Sequence, residues 1–185
     1  ARGPRFRLSG ELVRDQALAV SGLLNEKIGG PSTRPYMPVG VWDETSRYGD
    51  LRGYKHDRND GLYRRTLYTI WKRTAPPPTM MLFDAPTRET CVVKRSRTNT
   101  PLQALALLNE VTFVEAGRAL AQRMIAEGGA TPAERIANGF LRVTARTPDD
   151  SELKLLVSGF EKRLARFRAD ADAAQKLVTV GESKA

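Results

Sequence analysis

Residues 83–109 read FDAPTRETCVVKRSRTNTPLQALALLN, and the last ten of them decide the fold class. Thr100 stands where a helix N-cap is needed, Pro101 suits the first helical position, and Gln103 completes a capping box three residues after the cap. Leu102, Leu105, Ala106 and Leu108 follow with no charge between them, which predicts a helix apolar nearly all round and therefore buried. Before it stand an acid-proline turn (Asp84, Pro86), four cations (Arg88, Lys94, Arg95, Arg97) and the only cysteine, Cys91. Val92 and Val93 favour a short strand inside an extended segment from Met80 to Arg97.

Helical signals continue on the C-terminal side. Asn109 interrupts or re-caps the helix, and Phe113, Ala116, Leu120 and Met124 define the next stripe. Thr131-Pro132-Ala133-Glu134 repeats the start signal before Ile136, Phe140 and Leu141. Thr147-Pro148-Asp149-Asp150 opens the longest helix, with Leu153, Leu156, Val157, Phe160, Leu164 and Phe167 as its buried face.

On the N-terminal side Ser9 caps a helix whose stripe is Val13, Ala17, Val20 and Leu24, stopped by Ile28-Gly29-Gly30-Pro31. Residues 29–61 are rich in glycine, proline and aromatics, with no helical period. They read as an irregular insertion holding one short hairpin around Tyr48–Lys55. Leu62–Thr74 regains a helical period, placing Leu67, Ile70 and Trp71 inward and Arg64, Arg65, Lys72 and Arg73 outward, until Pro76–Pro78 forbid continuation. The class is mainly α: one helical domain spanning 1–185, a bundle with an irregular Gly/Pro-rich insertion. The opening in mid-pattern and the ending VTVGESKA read as an excised piece of a longer, multidomain protein.

With 185 residues, 41% of them hydrophobic, the chain can bury one substantial core. No apolar run approaches the roughly 18 residues of a membrane span. The net charge of +9 is concentrated in residues 50–100, which hold eleven Lys/Arg against five Asp/Glu. That surplus suits an anionic glycan or an acidic protein, and equally a solvated face with local ion pairs. No helix-turn-helix, zinc finger or RNA-binding signature accompanies it, so sequence-specific nucleic-acid binding is not expected.

Metal chemistry is disfavoured because His56 is the only histidine and Cys91 the only cysteine. The same count leaves no covalent haem motif in this chain, so no cofactor is expected within it. Cys91, flanked by Arg88, Lys94 and Arg95, is either an activated thiol or a small buried hydrophobe, and the adjacent valines favour the second. Asp84 and Glu89 are the weak catalytic candidates, as an acid/base pair. The competing reading makes Asp84, Arg88, Glu89, Arg95, Arg97, Asn99 and Gln103 an organised polar centre over about 83–103. In it arginines saturate the carboxylates, while Arg97, Asn99 and Gln103 fasten the irregular segment to the helix after Thr100.

Several blocks resemble one family in order along nearly the whole chain: Arg14–Leu24, Ile28–Ser32, Tyr63-Arg64-Arg65, Trp71–Thr74, Phe83–Pro86, and most distinctively Arg97-Thr98-Asn99-Thr100-Pro101-Leu102-Gln103-Ala104-Leu105. Gly181-Glu182-Ser183 resembles the start of a last block. The family is the planctomycete-specific domain of unknown function found behind cytochrome-c-like modules. The resemblance implies a large, exported parent protein, with any haem in another module and other domains of the same parent as partners. It carries no catalytic residues. The leading expectation is therefore an accessory or interaction domain. The alternatives are a hydrolase-like catalytic domain acting on extracellular polysaccharide and an electrostatic dock for a cytochrome or polyanion.

Overall fold

The computed structural model describes residues 7–43, 45 and 53–184. They contain seven α-helices: α1 (Gly10–Ser21), α2 (Pro78–Leu82), α3 (Pro101–Asn109), α4 (Val111–Glu127), α5 (Pro132–Thr144), α6 (Asp150–Ala169) and α7 (Ala171–Val178). The mainly helical class follows the sequence expectation, and strand pairing among the described residues is limited to two isolated parallel bridges, Asn25 with Arg64 and Thr33 with Thr69. Most of the hairpin expected around Tyr48–Lys55 lies outside the described residues.

Two compact units divide the chain. One takes the described residues up to Leu18 and those of Leu24–Phe113; the other takes Ala19–Leu23 and those from Val114 onward. The core of the first unit gathers Leu18, Trp42, Leu62, Met80, Phe83, Ala85 and Phe113. Phe83 meets Phe113 edge-on with ring centroids 6.0 Å apart, and the buried Trp42 indole donates to the Ala75 carbonyl at 3.2 Å. The indole thus fills volume while its N–H is satisfied. In the second unit α5 packs on α6 and α6 on α7, and Gly139 of α5 lets the Met124 thioether approach where a Cβ would stand 2.6 Å from its sulfur.

Two of the cap signals act where they were placed. Thr100 with Gln103 and Thr131 with Glu134 each form a complete capping box. At α6 the box belongs to Asp149 and Glu152, two residues past Thr147. Elsewhere the tertiary context overrides the pattern. α1 ends at Ser21, where Gly22 takes φ +79, and it buries Arg14, Leu18 and Ser21 instead of the Val13 stripe. Leu62–Thr74 is not an α-helix: only a 3-10 turn at Thr66–Tyr68 interrupts it, Leu67 is exposed, and Arg64 is buried where an outward cation was expected. No strand forms at Cys91–Val93, and all three residues are exposed. Beyond Ala169, Asp170 caps α7 by accepting from the Ala173 N–H at 2.9 Å.

Candidate functional site

An irregular segment offers many carbonyls and few partners for them, and buried carbonyls need donors. Two arginines of the first unit meet that need. Arg14 reaches from α1 to the carbonyls of Leu62 (2.5 Å) and Arg64 (2.9 Å) and to the Thr66 hydroxyl (3.2 Å). Its neighbour Asp15 accepts from the Thr66 N–H (2.7 Å) and hydroxyl (2.6 Å). Arg64 in turn donates to the carbonyls of Pro31 (3.0 Å), Lys27 (3.2 Å) and Gly29, and its guanidinium lies 4.0 Å from the Tyr68 ring centroid. These tertiary bonds hold residues 62–69 out of the helix their periodicity favours.

Beside Arg14 lies Glu110, which accepts from the N–H (3.1 Å) and hydroxyl (3.0 Å) of Thr112. Burial pushes the Glu110 carboxyl above its ordinary range and draws the Arg14 guanidinium down. Arg14, Tyr36, Thr79, Glu110 and Thr112 line a cavity of 20 Å³, room for about one water and far too little for a sugar ring. The Arg14 Nε has no hydrogen-bond partner among the described residues, so the polar lining suits such a water.

The second cluster contains part of the expected polar centre. Asp84, at φ +60, accepts from the Thr98 N–H (2.6 Å) and from the Thr98 hydroxyl (2.8 and 3.0 Å). The Thr98 N–H bond, more than any other contact, holds its carboxyl below the ordinary carboxylate value. Gln103 is only 1% exposed. Its amide donates to the Leu82 carbonyl (2.8 Å) and the Thr98 hydroxyl (3.1 Å), and its oxygen accepts from Arg7 (2.8 Å) and the Thr100 N–H (3.3 Å). One side chain therefore ties α2, the 98–100 segment, the N-terminal segment and the first turn of α3.

Other members of the expected centre go elsewhere. Arg95 pairs with both oxygens of Glu11 at 2.9 Å, not with Asp84 or Glu89. Burial raises the Glu11 carboxyl, but its backbone and Arg95 bonds outweigh that and hold it below its ordinary value. Arg88 lies over Trp71, 4.4 Å from its centroid, while the Trp71 indole donates to the Thr87 carbonyl (3.0 Å). Glu89, Arg97 and Asn99 are exposed, so Asn99 does not supply a buried amide to the junction. The arginine–carboxylate lattice is replaced by hydroxyl and amide contacts, since Thr98 already satisfies both Asp84 oxygens. The sequence reading did not place Arg7, Glu11, Arg14, Thr98 or Glu110 in either polar cluster, and it turned Arg64 outward. Thr98 sits inside the distinctive Arg97–Leu105 block, whereas nothing in hydropathy singles out a buried arginine.

A family model described as PSD1, protein of unknown function (DUF1553), matches residues 1–160. The chain belongs to the PSD1 family. No curated protein matches it, and no solved structure does. Both polar clusters of this PSD1 domain fall inside the matched span. Among the described residues, no group of three or more His, Cys, Asp or Glu side chains is placed to hold a metal ion, and no helix is long and apolar enough to cross a membrane.

The outer surface of α3 departs most from expectation. Leu102, Leu105 and Leu108 are 58%, 55% and 74% exposed, and Leu107 is exposed as well. Only Gln103 of this helix is buried. The preceding loop displays exposed Val92 and Val93, and Val93–Arg97 line an open depression of 710 Å³ whose charged members, Lys94, Arg95 and Arg97, are all cationic.

Proposed function

We propose that this domain is an accessory interaction module of an exported, planctomycete-type multidomain protein, and that it docks an acid-flanked amphipathic helix from another domain. The observation that carries the reading is the uncharged, leucine-exposing face of α3 beside the cationic 94–97 loop. Apolar surface concentrated in one place marks docking sites more often than idle surface. Leucines at 102, 105 and 108 present one face at helical spacing, the pattern by which amphipathic helices are gripped. The cationic border selects acidic flanks on the incoming helix. Export, and a haem-bearing module elsewhere in the parent, rest on the family resemblance.

A carboxylate acid/base role draws less support. Asp84 is held ionised by Thr98, which suits an anchor better than a general acid, and the half-buried Glu110 lines a cavity that admits no substrate.

The test uses fluorescein-labelled helical peptides with a leucine face and either Glu or Lys flanks, with heparin and anionic vesicles as further arms. The Glu-flanked peptide binds, its affinity falls with salt because the Debye length shrinks from about 10 Å at 0.1 M to about 3 Å at 1 M, and the variant L105D/L108D loses it while melting as the parent does. Equal binding of both peptides, or binding of heparin or vesicles without the Glu peptide, overturns the reading in favour of bulk hydrophobicity, a polyanion or a lipid surface respectively.

A further inference from the structure

The second unit contains a different kind of contact. Glu115, Arg118 and Gln122 follow one another at three- and four-residue spacing along α4 and so share a face. Together they hold the segment Gly181–Lys184. The Ser183 N–H donates to the Glu115 carboxylate at 2.6 Å. Arg118 donates to the Ser183 carbonyl at 2.6 Å and to its hydroxyl at 2.5 Å, and the Gln122 amide reaches the Lys184 carbonyl at 3.3 Å. Three of these four bonds address main-chain atoms. Only the serine hydroxyl is read as a side chain.

The approach is close. Gly181 takes φ +84, and a Cβ there would stand 2.2 Å from the Glu115 carboxyl carbon. Only glycine combines that backbone with that contact. The charged pair beneath is buried, with side chains 1% and 9% exposed for Glu115 and Arg118. The Arg118 Nε and Nη1 have no hydrogen-bond partner among the described residues. A segment that served only as packing would be cheaper over apolar residues, because burying a charge costs several kcal/mol unless it is fully paired. An acceptor, a donor to both serine oxygens and an amide in register along one helix face form a reader of the bent backbone that starts at Gly181.

We infer that this face of α4 is a peptide-binding track, specific for a bent Gly-x-Ser segment and occupied in cis by Gly181–Lys184. The ligand class follows from the contacts: a glycine where Glu115 closes in, any residue next, then a serine whose N–H, carbonyl and hydroxyl are all engaged. The cis segment acts as a tethered competitor at the millimolar effective concentration typical of short linkers, so a second peptide gains access only when the segment lifts. This site is independent of the α3 docking face.

The probe is a synthetic fluorescein-labelled Thr-Val-Gly-Glu-Ser-Lys peptide, titrated with the protein and followed by fluorescence anisotropy. Gly181→Val dislodges the cis segment by the Cβ contact, and Ser183→Pro does so by deleting the N–H that Glu115 accepts, with no added bulk at Gly181. Both variants bind the peptide at least about tenfold more tightly than the parent, as removal of a tethered competitor requires. Adding Arg118→Met abolishes the gain, and a peptide with Ala for Gly and Ala for Ser binds no better to the variants than to the parent. If neither folded variant binds the peptide more tightly, or if the Ala peptide binds as well, the track is only a local packing contact and the inference fails.

Discussion

Replacing Gln103 by alanine tests the polar junction directly. The side chain is almost fully buried and makes four hydrogen bonds, to Leu82, Thr98, Arg7 and Thr100. Truncation leaves the part-buried Leu82 carbonyl without this donor, at about 1–3 kcal/mol, and removes the reciprocal half of the α3 capping box, at a further ~1 kcal/mol. Thr98 and Arg7 lie nearer solvent, where water replaces part of what they lose. The expected cost is therefore about 2–4 kcal/mol, which for a chain of this size lowers Tm by roughly 2–4 °C per kcal/mol. Differential scanning calorimetry reads it as a drop in the transition of the unit containing α3. Asn99→Ala is the control: an exposed side chain four residues away should change stability by no more than about 0.5 kcal/mol. A Gln103→Ala transition within a degree of the parent, or equal losses in the two variants, would refute the junction as described.

Arg14→Met, which keeps the bulk but removes the donors, should cost about 2–5 kcal/mol in denaturant titration, since it orphans two carbonyls and leaves the half-buried Glu110 without a nearby positive charge. The Asp84 carboxyl is depressed, so its contribution is fully present above the ordinary value of 3.8 and is lost as pH falls through the folded value; the stability gap between the parent and Asp84→Asn should narrow on acidification below 3.8, and a gap constant with pH would count against the Thr98 anchor. Cys91 is exposed, so an aromatic disulfide reagent should label it at nearly the same rate in native and in urea-unfolded protein, whereas strong native protection would contradict its position.

The sequence by itself determined what four consecutive residues can settle. The capping boxes at Thr100 and Thr131 need only a hydroxyl and a Glu or Gln three residues on, both drawn from the same turn. The consecutive prolines at 76–78 and the glycine-rich insertion likewise act through their own backbone restrictions, and together with the periodic segments they made the mainly helical class legible. Part of the polar centre was legible too, because Asp84 and Gln103 flank a turn and a cap. Their shared partner Thr98 was not, since nothing local distinguishes one threonine from its neighbours. Tertiary structure decided which side of each element is inside. The face of α1 was set by the carbonyls of Leu62 and Arg64, which drew Arg14 inward past an apolar stripe. The same bonds, with Asp15 on Thr66, kept residues 62–69 out of the helix their periodicity favoured. On α3 the apolar pattern specified a helix and could not specify a covering neighbour, so its leucines stand exposed. Periodicity reports the geometry of one element, whereas burial and donor demand depend on atoms dozens of residues away.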